Sequence, residues 1–280
     1  MMSDTTTTAA QTPRPGLTLA QRFHLEVYGY VLLKNVFRPE EVERMKAALY
    51  RMRDDPDLEA KRVYTHKHGN HYQLFGHLVE YDPALLDYAA DPRLVPLAED
   101  LVGGAVRLEE SEAIINRRDP EAVLPEGRRV VPVGFHTGTR HGWGTYYEQN
   151  RFHCIFVKTL TYLTDVGPGD GGTAVIPGSH RMSWPQQEMI RAAMEDERLI
   201  HQIEAPAGST LLFPESLIHS TTAITTDKER VILVSGYTPT MMREWMGNEI
   251  SPEFVETLPE AIRPLISGSD NWRWRRNYPN

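Results

Sequence analysis

His136-Thr137-Gly138, His219 and, eleven residues further on, Arg230 are the residues of this chain whose types and spacing suit metal chemistry. Neutral imidazoles suit iron, and two histidines so arranged read as the metal and co-substrate site of an iron(II)/2-oxoglutarate enzyme. Such a site ordinarily takes a third ligand, an Asp or Glu two residues after the first histidine, completing a two-His-one-carboxylate facial triad. That position here is Gly138, which has no donor atom. A halide would restore both the ligand and its negative charge, so Gly138 is read as a halide position. The expected reaction is then chlorination of an unactivated C–H, with chloride joining Fe(II), 2-oxoglutarate and O2 as cofactors. The alternatives are hydroxylation or another oxidation, with a different carboxylate or a water standing in, and a non-catalytic cupin-like binding module.

Elements that could carry these residues change character along the chain. Leu17 to Tyr28 has helical apolar spacing, Gly29 breaks it, and Tyr30 to Leu33 reads as a strand. Pro39-Glu40-Glu41 opens a second helix, with proline in its first turn and carboxylates at the positive end of the dipole. Val42, Met45, Ala48 and Leu49 share one face of it. Lys61 to Gly76 reads as a polar loop and Pro83 to Leu101 as one helix. From Val106 onward short apolar runs (Ala113 to Ile115, Val130 to Phe135, Phe152 to Leu163, Thr173 to Ile176, Ser209 to Phe213, Val231 to Tyr237) alternate with Gly-, Pro- and Asp-rich turns. That pattern predicts a mainly β core of the jelly-roll kind behind an N-terminal helical layer. A helical insert is expected around 182–199. Residues 1–16 read as a disordered tail and 17–280 as one domain.

The block Lys158-Thr159-Leu160-Thr161-Tyr162-Leu163-Thr164-Asp165 through Gly171-Gly172-Thr173-Ala174-Val175-Ile176-Pro177-Gly178-Ser179-His180 resembles the phytanoyl-CoA dioxygenase family. The resemblance extends to the N-terminal strand and helix, to Ala207 through Phe213, and to His219 and Arg230, covering roughly Leu17 to Pro239. It implies a double-stranded β-helix (jelly roll, cupin-like) holding Fe(II) on His136 and His219. It implies that Arg230 pairs with the distal carboxylate of 2-oxoglutarate through its planar fork and that the Thr221 hydroxyl supports that carboxylate. Gly138 departs from the family's Asp and is similar to the Gly or Ala of the iron/2-oxoglutarate halogenases.

Other features bear on substrate and setting. The stretch Arg140 to Asn150 follows the metal motif, and its Arg140, Trp143, Tyr146 and Tyr147 are read, with Asn116, as substrate-facing, the aromatics forming a lid. Arg117, Arg118, Arg128 and Arg129 would suit an anionic small molecule, nucleotide-like or amino-acid-like. His66, His68 and His71 are read as solvated or substrate-loop residues and His180 as structural. Trp272-Arg273-Trp274-Arg275-Arg276 either closes over the pocket or packs on the surface. A net charge of -8 argues against nucleic-acid polymers and anionic membranes as partners. The single cysteine, Cys154, excludes a disulfide framework and sits in an apolar run as a buried thiol. With no apolar run long enough to span a bilayer and no signal-like start, a cytoplasmic protein is expected.

Overall fold

Thr18 starts the first helix: its hydroxyl accepts from the Gln21 N–H while the Gln21 side chain accepts from the Thr18 N–H. The computed structural model describes residues 16–269. Helix α1 (Leu19–Tyr28) ends at Gly29, whose φ is 85°. A Cβ there would stand 2.5 Å from His180 Nδ1, so conformation and space both require glycine. Strand β1 (Val31–Leu33) leads to α2 (Pro39–Arg53), which buries the four apolar residues its spacing predicts, and Met52 with them.

Two elements differ from expectation. The polar stretch 61–76 is a hairpin, β2 (Tyr64–His68) and β3 (Tyr72–Gly76), turning at Gly69. β2 is an edge strand and carries exposed Thr65, His66, Lys67 and His68, so apolar alternation gives no signal for it. The expected helix 83–101 is two, α3 (Pro83–Ala89) and α4 (Val95–Val102). Pro92 disfavours helix at Asp91, whose carboxylate instead accepts from the Arg93 N–H at 2.8 Å.

Then follow β4 (Val106–Asn116), β5 (Thr145–Glu148), β6 (Arg151–Cys154), β7 (Val157–Tyr162), β8 (Thr173–Val175), α5 (Gln186–Glu195), β9 (His201–Gln202), β10 (Thr210–Pro214), β11 (His219–Thr221), β12 (Arg230–Pro239), α6 (Pro252–Thr257) and α7 (Arg263–Ser267). The large sheet has the order β1-β10-β7-β12-β4-β3-β2 and pairs antiparallel throughout. A smaller sheet, β11-β8-β9, belongs to the opposite wall. Leu160, Tyr162, Leu211, Phe213 and Ile232 of the large sheet pack with Val175 of the small one and with Ile203 just after β9. The helices cover the other face: Val42, Met45 and Leu49 of α2 and Leu85 of α3 pack on Phe75, Ala113, Val231 and Leu233. The fold is a double-stranded β-helix of the cupin-like kind with an N-terminal helical layer.

The run Val130 to Phe135 does not form the strand expected of it. It makes single bridges, Pro132 with Thr222 and His136 with His219, because Pro132 lacks a donor and Gly134 sits at φ 91°. The run Phe152 to Leu163 divides into β6 and β7.

Candidate metal centre

The two histidines are joined through the backbone before any ligand is considered. The His136 N–H donates to the His219 carbonyl at 2.9 Å, and the His219 N–H donates back at 3.0 Å. Their rings lie 4.3 Å apart, centre to centre. Two imidazoles holding one ion in neighbouring positions, each through a nitrogen about 2.1 Å away, place their ring centres about 4–5 Å apart. His136 Nδ1 lies 3.1 Å from the Gly134 carbonyl and His219 Nδ1 lies 2.8 Å from the Leu217 carbonyl. A carbonyl only accepts, so each Nδ1 carries the proton and each Nε2 keeps its lone pair for a metal. Burial lowers the His219 pKa, which favours that neutral form. The pair fits a divalent iron.

Arg230 enters the same cavity from the start of β12. It is 3% exposed, and burial lowers its pKa to about 10. Its Nη1 donates to the Gly171 carbonyl and to Thr221 Oγ1, while Nε has no hydrogen-bond partner. Among the described residues no carboxylate pairs with it. A buried, unpaired guanidinium calls for an anionic ligand, and the Thr221 hydroxyl lies beside it, accepting from Nη1. Asn116, opposite Arg230 in the β4–β12 register, has a buried side-chain oxygen without a partner and lines the cavity.

The space beside Gly138 is not free. A Cβ built on Gly138 would lie 2.0 Å from Glu215 Oε2 and 2.9 Å from Glu215 Cδ. The carboxylate of Glu215 thus fills the volume that the sequence reading left open for a halide. The two positions are tied by backbone: the Gly138 and Thr139 N–H groups donate to the Glu215 carbonyl at 3.0 and 3.2 Å. The sequence reading missed Glu215. Its signal was available, a lone charge between the apolar strand Leu211–Leu212–Phe213 and His219.

Further acids went unnoticed on β4. Lys158 on β7 donates to Glu109 at 3.3 Å and also contacts Glu110, while Tyr64 donates to Glu112 at 2.8 Å. The three acids, Lys158 and Glu215 line the cavity. One ammonium cannot balance them all, and burial first, then neighbouring Glu110, pushes the Glu112 pKa up to about 7. Its folded-state pKa being raised, the fold retains a proton that the unfolded chain releases between about pH 4.5 and 7. Stability contributed by that proton is lost as pH rises through this window. Glu112→Gln, neutral throughout and still able to accept from Tyr64, should therefore stabilise the metal-free protein at pH 8 by about 2–3 kcal/mol relative to pH 5. Thermal melts of both proteins at the two pH values check this.

A cavity of about 980 Å³ gathers these groups. Asn116 and Trp143 line it, and Trp143 stacks on Phe156 with ring centres 6.1 Å apart. Arg140, Tyr146 and Tyr147 are not among its lining residues. Tyr146 donates to the Val102 carbonyl and stacks on His153, Tyr147 packs edge-on against Phe152, and Arg140 is exposed. The expected lid is instead partly a hairpin, β5 with β6, whose pairing fixes those tyrosines away from the cavity.

Most of the arginines read as suiting an anionic molecule lie outside the cavity. Arg117 pairs with Glu229 at 2.5 Å, Arg118 with Asp227 at 3.4 Å and Arg128 with Glu197 at 3.9 Å, and of the four expected arginines only Arg117 reaches the cavity. The cavity wall is acidic instead. His66, His68 and His71 line it from the hairpin, and His180 is wholly buried against Phe152. Cys154 is buried, its thiol pushed up to about 11 by desolvation, which makes it no nucleophile. The Trp272 to Arg276 segment lies outside the described residues, and within them no helix is long and apolar enough to cross a membrane.

The phytanoyl-CoA dioxygenase (PhyH) family model matches residues 25–232. An ectoine dioxygenase of Stutzerimonas stutzeri (strain A1501) is 28% identical over 91% of this chain and 84% of its own length. That of Nocardia farcinica (strain IFM 10152) is 26% identical over 68% of this chain and 67% of its own. Among solved structures, HygX from Streptomyces hygroscopicus with nickel and 2-oxoglutarate bound superposes with a TM-score of 0.65 at 24% identity. It spans 82% of this chain and 90% of its own. The 2-oxoglutarate-dependent epimerase SnoN from nogalamycin biosynthesis superposes with a TM-score of 0.60 at 19% identity, over 90% and 96%.

Proposed function

Because the chain belongs to the phytanoyl-CoA dioxygenase family of iron(II)/2-oxoglutarate-dependent oxygenases, we propose that it hydroxylates a C–H bond of a small free-standing molecule. The observation that carries the reading is the convergence on one cavity of two backbone-joined histidines with free Nε2 atoms and a buried arginine without a carboxylate. When bound, iron and 2-oxoglutarate supply an O2-dependent oxidation that yields succinate, CO2 and an oxygenated product. Arg230 supplies the charge for the distal carboxylate, with Thr221 fixing the guanidinium. Gly134 and Leu217 carbonyls hold the imidazoles in their ligating tautomer. Asn116 offers an unused oxygen, and the apolar walls formed by Ile114, Leu160 and Phe213 keep water away from the reacting carbon.

Hydroxylation is preferred to halogenation because a carboxylate, not a void, stands beside Gly138. The acidic wall disfavours a further anion there as well. Gly138 itself favours the second reading, chlorination, which requires Glu215 to turn away and chloride to take its place. Ectoine, named for two relatives, is the first compound to try. Incubation with Fe(II), 2-oxoglutarate and O2, in chloride, bromide and halide-free buffer, should give succinate and a product heavier by one oxygen regardless of halide. A product carrying a chlorine isotope pattern, or one formed only with halide, would establish halogenation instead.

A further inference from the structure

The geometry points to Glu215 as the third protein ligand of the metal, a carboxylate relocated from the position after His136 to the turn before His219. This inference rests on the iron/2-oxoglutarate reading of the same cavity. An aspartate at 138 would put its carboxyl group one bond beyond a Cβ, and that is the space the Glu215 carboxyl holds. Glu215 is 7% exposed, and the one ammonium that reaches it, Lys158, is shared with Glu109 and Glu110 and cannot balance all three. A buried carboxylate left short of positive charge is unfavourable, and a divalent ion beside it relieves that cost. The two imidazoles already present their lone pairs nearby, and His219 follows Glu215 by four residues. Backbone bonds fix position 215 against Gly138 whatever its side chain does.

Among the described residues, no three His, Cys, Asp or Glu side chains are drawn into a closed cluster. The carboxylate therefore closes on the metal by a small adjustment within the space beside Gly138. Glycine at 138 is what permits this. Any Cβ there takes the place of the Glu215 carboxylate, so the missing aspartate and the incoming glutamate form one exchange.

Metal binding tests the assignment without turnover. Metal-free protein is titrated with Mn(II), the free ion being followed by electron paramagnetic resonance. Glu215→Ala should weaken binding by at least the 10–100-fold that loss of an outer-shell partner costs. Gly138→Ala should weaken it too, although it removes no polar group, because its methyl displaces the carboxylate. The double variant Gly138→Asp/Glu215→Ala should recover most of the affinity. Glu109→Gln serves as the control, since it alters the charge around Lys158 without touching the metal. Unchanged Mn(II) affinity in Glu215→Ala and Gly138→Ala, with loss in His219→Ala, overturns the assignment. So does a loss in Glu109→Gln equal to that in Glu215→Ala, which marks the effect as general charge. Gly138 has no left-handed φ, so Gly138→Ala decides the matter even if Glu215→Ala does not fold. The two readings fail separately. Oxygenated product with unchanged metal affinity in both variants removes the ligand role and leaves the oxygenase. Weakened binding in both, with no succinate from wild-type protein, does the reverse.

Discussion

His219→Ala is expected to abolish 2-oxoglutarate consumption and to reduce metal binding to background, the largest effect of any single substitution in this chain. The ring is one of the two backbone-joined imidazoles, and it is buried, held by Leu217 on one side and Phe213 at 4.8 Å on another. Alanine offers no donor atom in its place. The backbone bridge between residues 136 and 219 uses main-chain atoms only, so it survives the change and the fold should too. His136→Ala should behave the same way. Normal turnover in either, measured as succinate against protein concentration, would place the metal elsewhere.

Arg230→Leu comes next in size. The guanidinium is buried, engages Thr221 and the Gly171 carbonyl, and keeps Nε unpaired. Removing the cation leaves a dianionic co-substrate with a buried carboxylate and no partner, a loss of about 2–5 kcal/mol. The 2-oxoglutarate KM should rise by a factor of about 30 to several thousand, with kcat much less affected. Arg230→Lys should recover only part, since a point charge cannot replace a planar fork whose Nη1 is held by Gly171 and Thr221. The measurement is initial rate against 2-oxoglutarate concentration, and an unchanged KM in Arg230→Leu would mean that the anchor is another residue.

The legible parts of this molecule were those written in local patterns. Helix α2 announces itself through Pro39, Glu40 and a single apolar face, and β7, β10 and β12 through apolar runs bounded by turns. The hairpin of β2 and β3 was hidden because an edge strand need not alternate, and its residues Thr65 to His68 are polar and exposed. The break between α3 and α4 turned on one proline after Asp91. In the site, His136, His219, Arg230 and Thr221 converge on one cavity because β11 and β12, from its two walls, carry three of them and the bridge adds the fourth. Glu215 was the harder case. Its partner in space, Gly138, lies far away in sequence and has no side chain, so neither residue signals the other. The tyrosines of Arg140 to Asn150 failed in the opposite way: aromatic residues beside a metal motif suggest a lid, but strand pairing decides which way they face.

Because residues 138 and 215 compete for one volume while sharing backbone hydrogen bonds, the order of mutation governs which ancestors and descendants of this site can work. Gaining Asp at 138 first pushes the glutamate aside, after which Glu215 is free to drift, and a carboxylate is available at every step. Losing Glu215 first passes through a chain with glycine at 138 and no acid beside it. That intermediate has the open anion position that halide chemistry needs. With Glu215 as the metal's carboxylate, a lineage on the second route is one substitution away from offering a halide that place, with no change to its histidines, its arginine or its sheet.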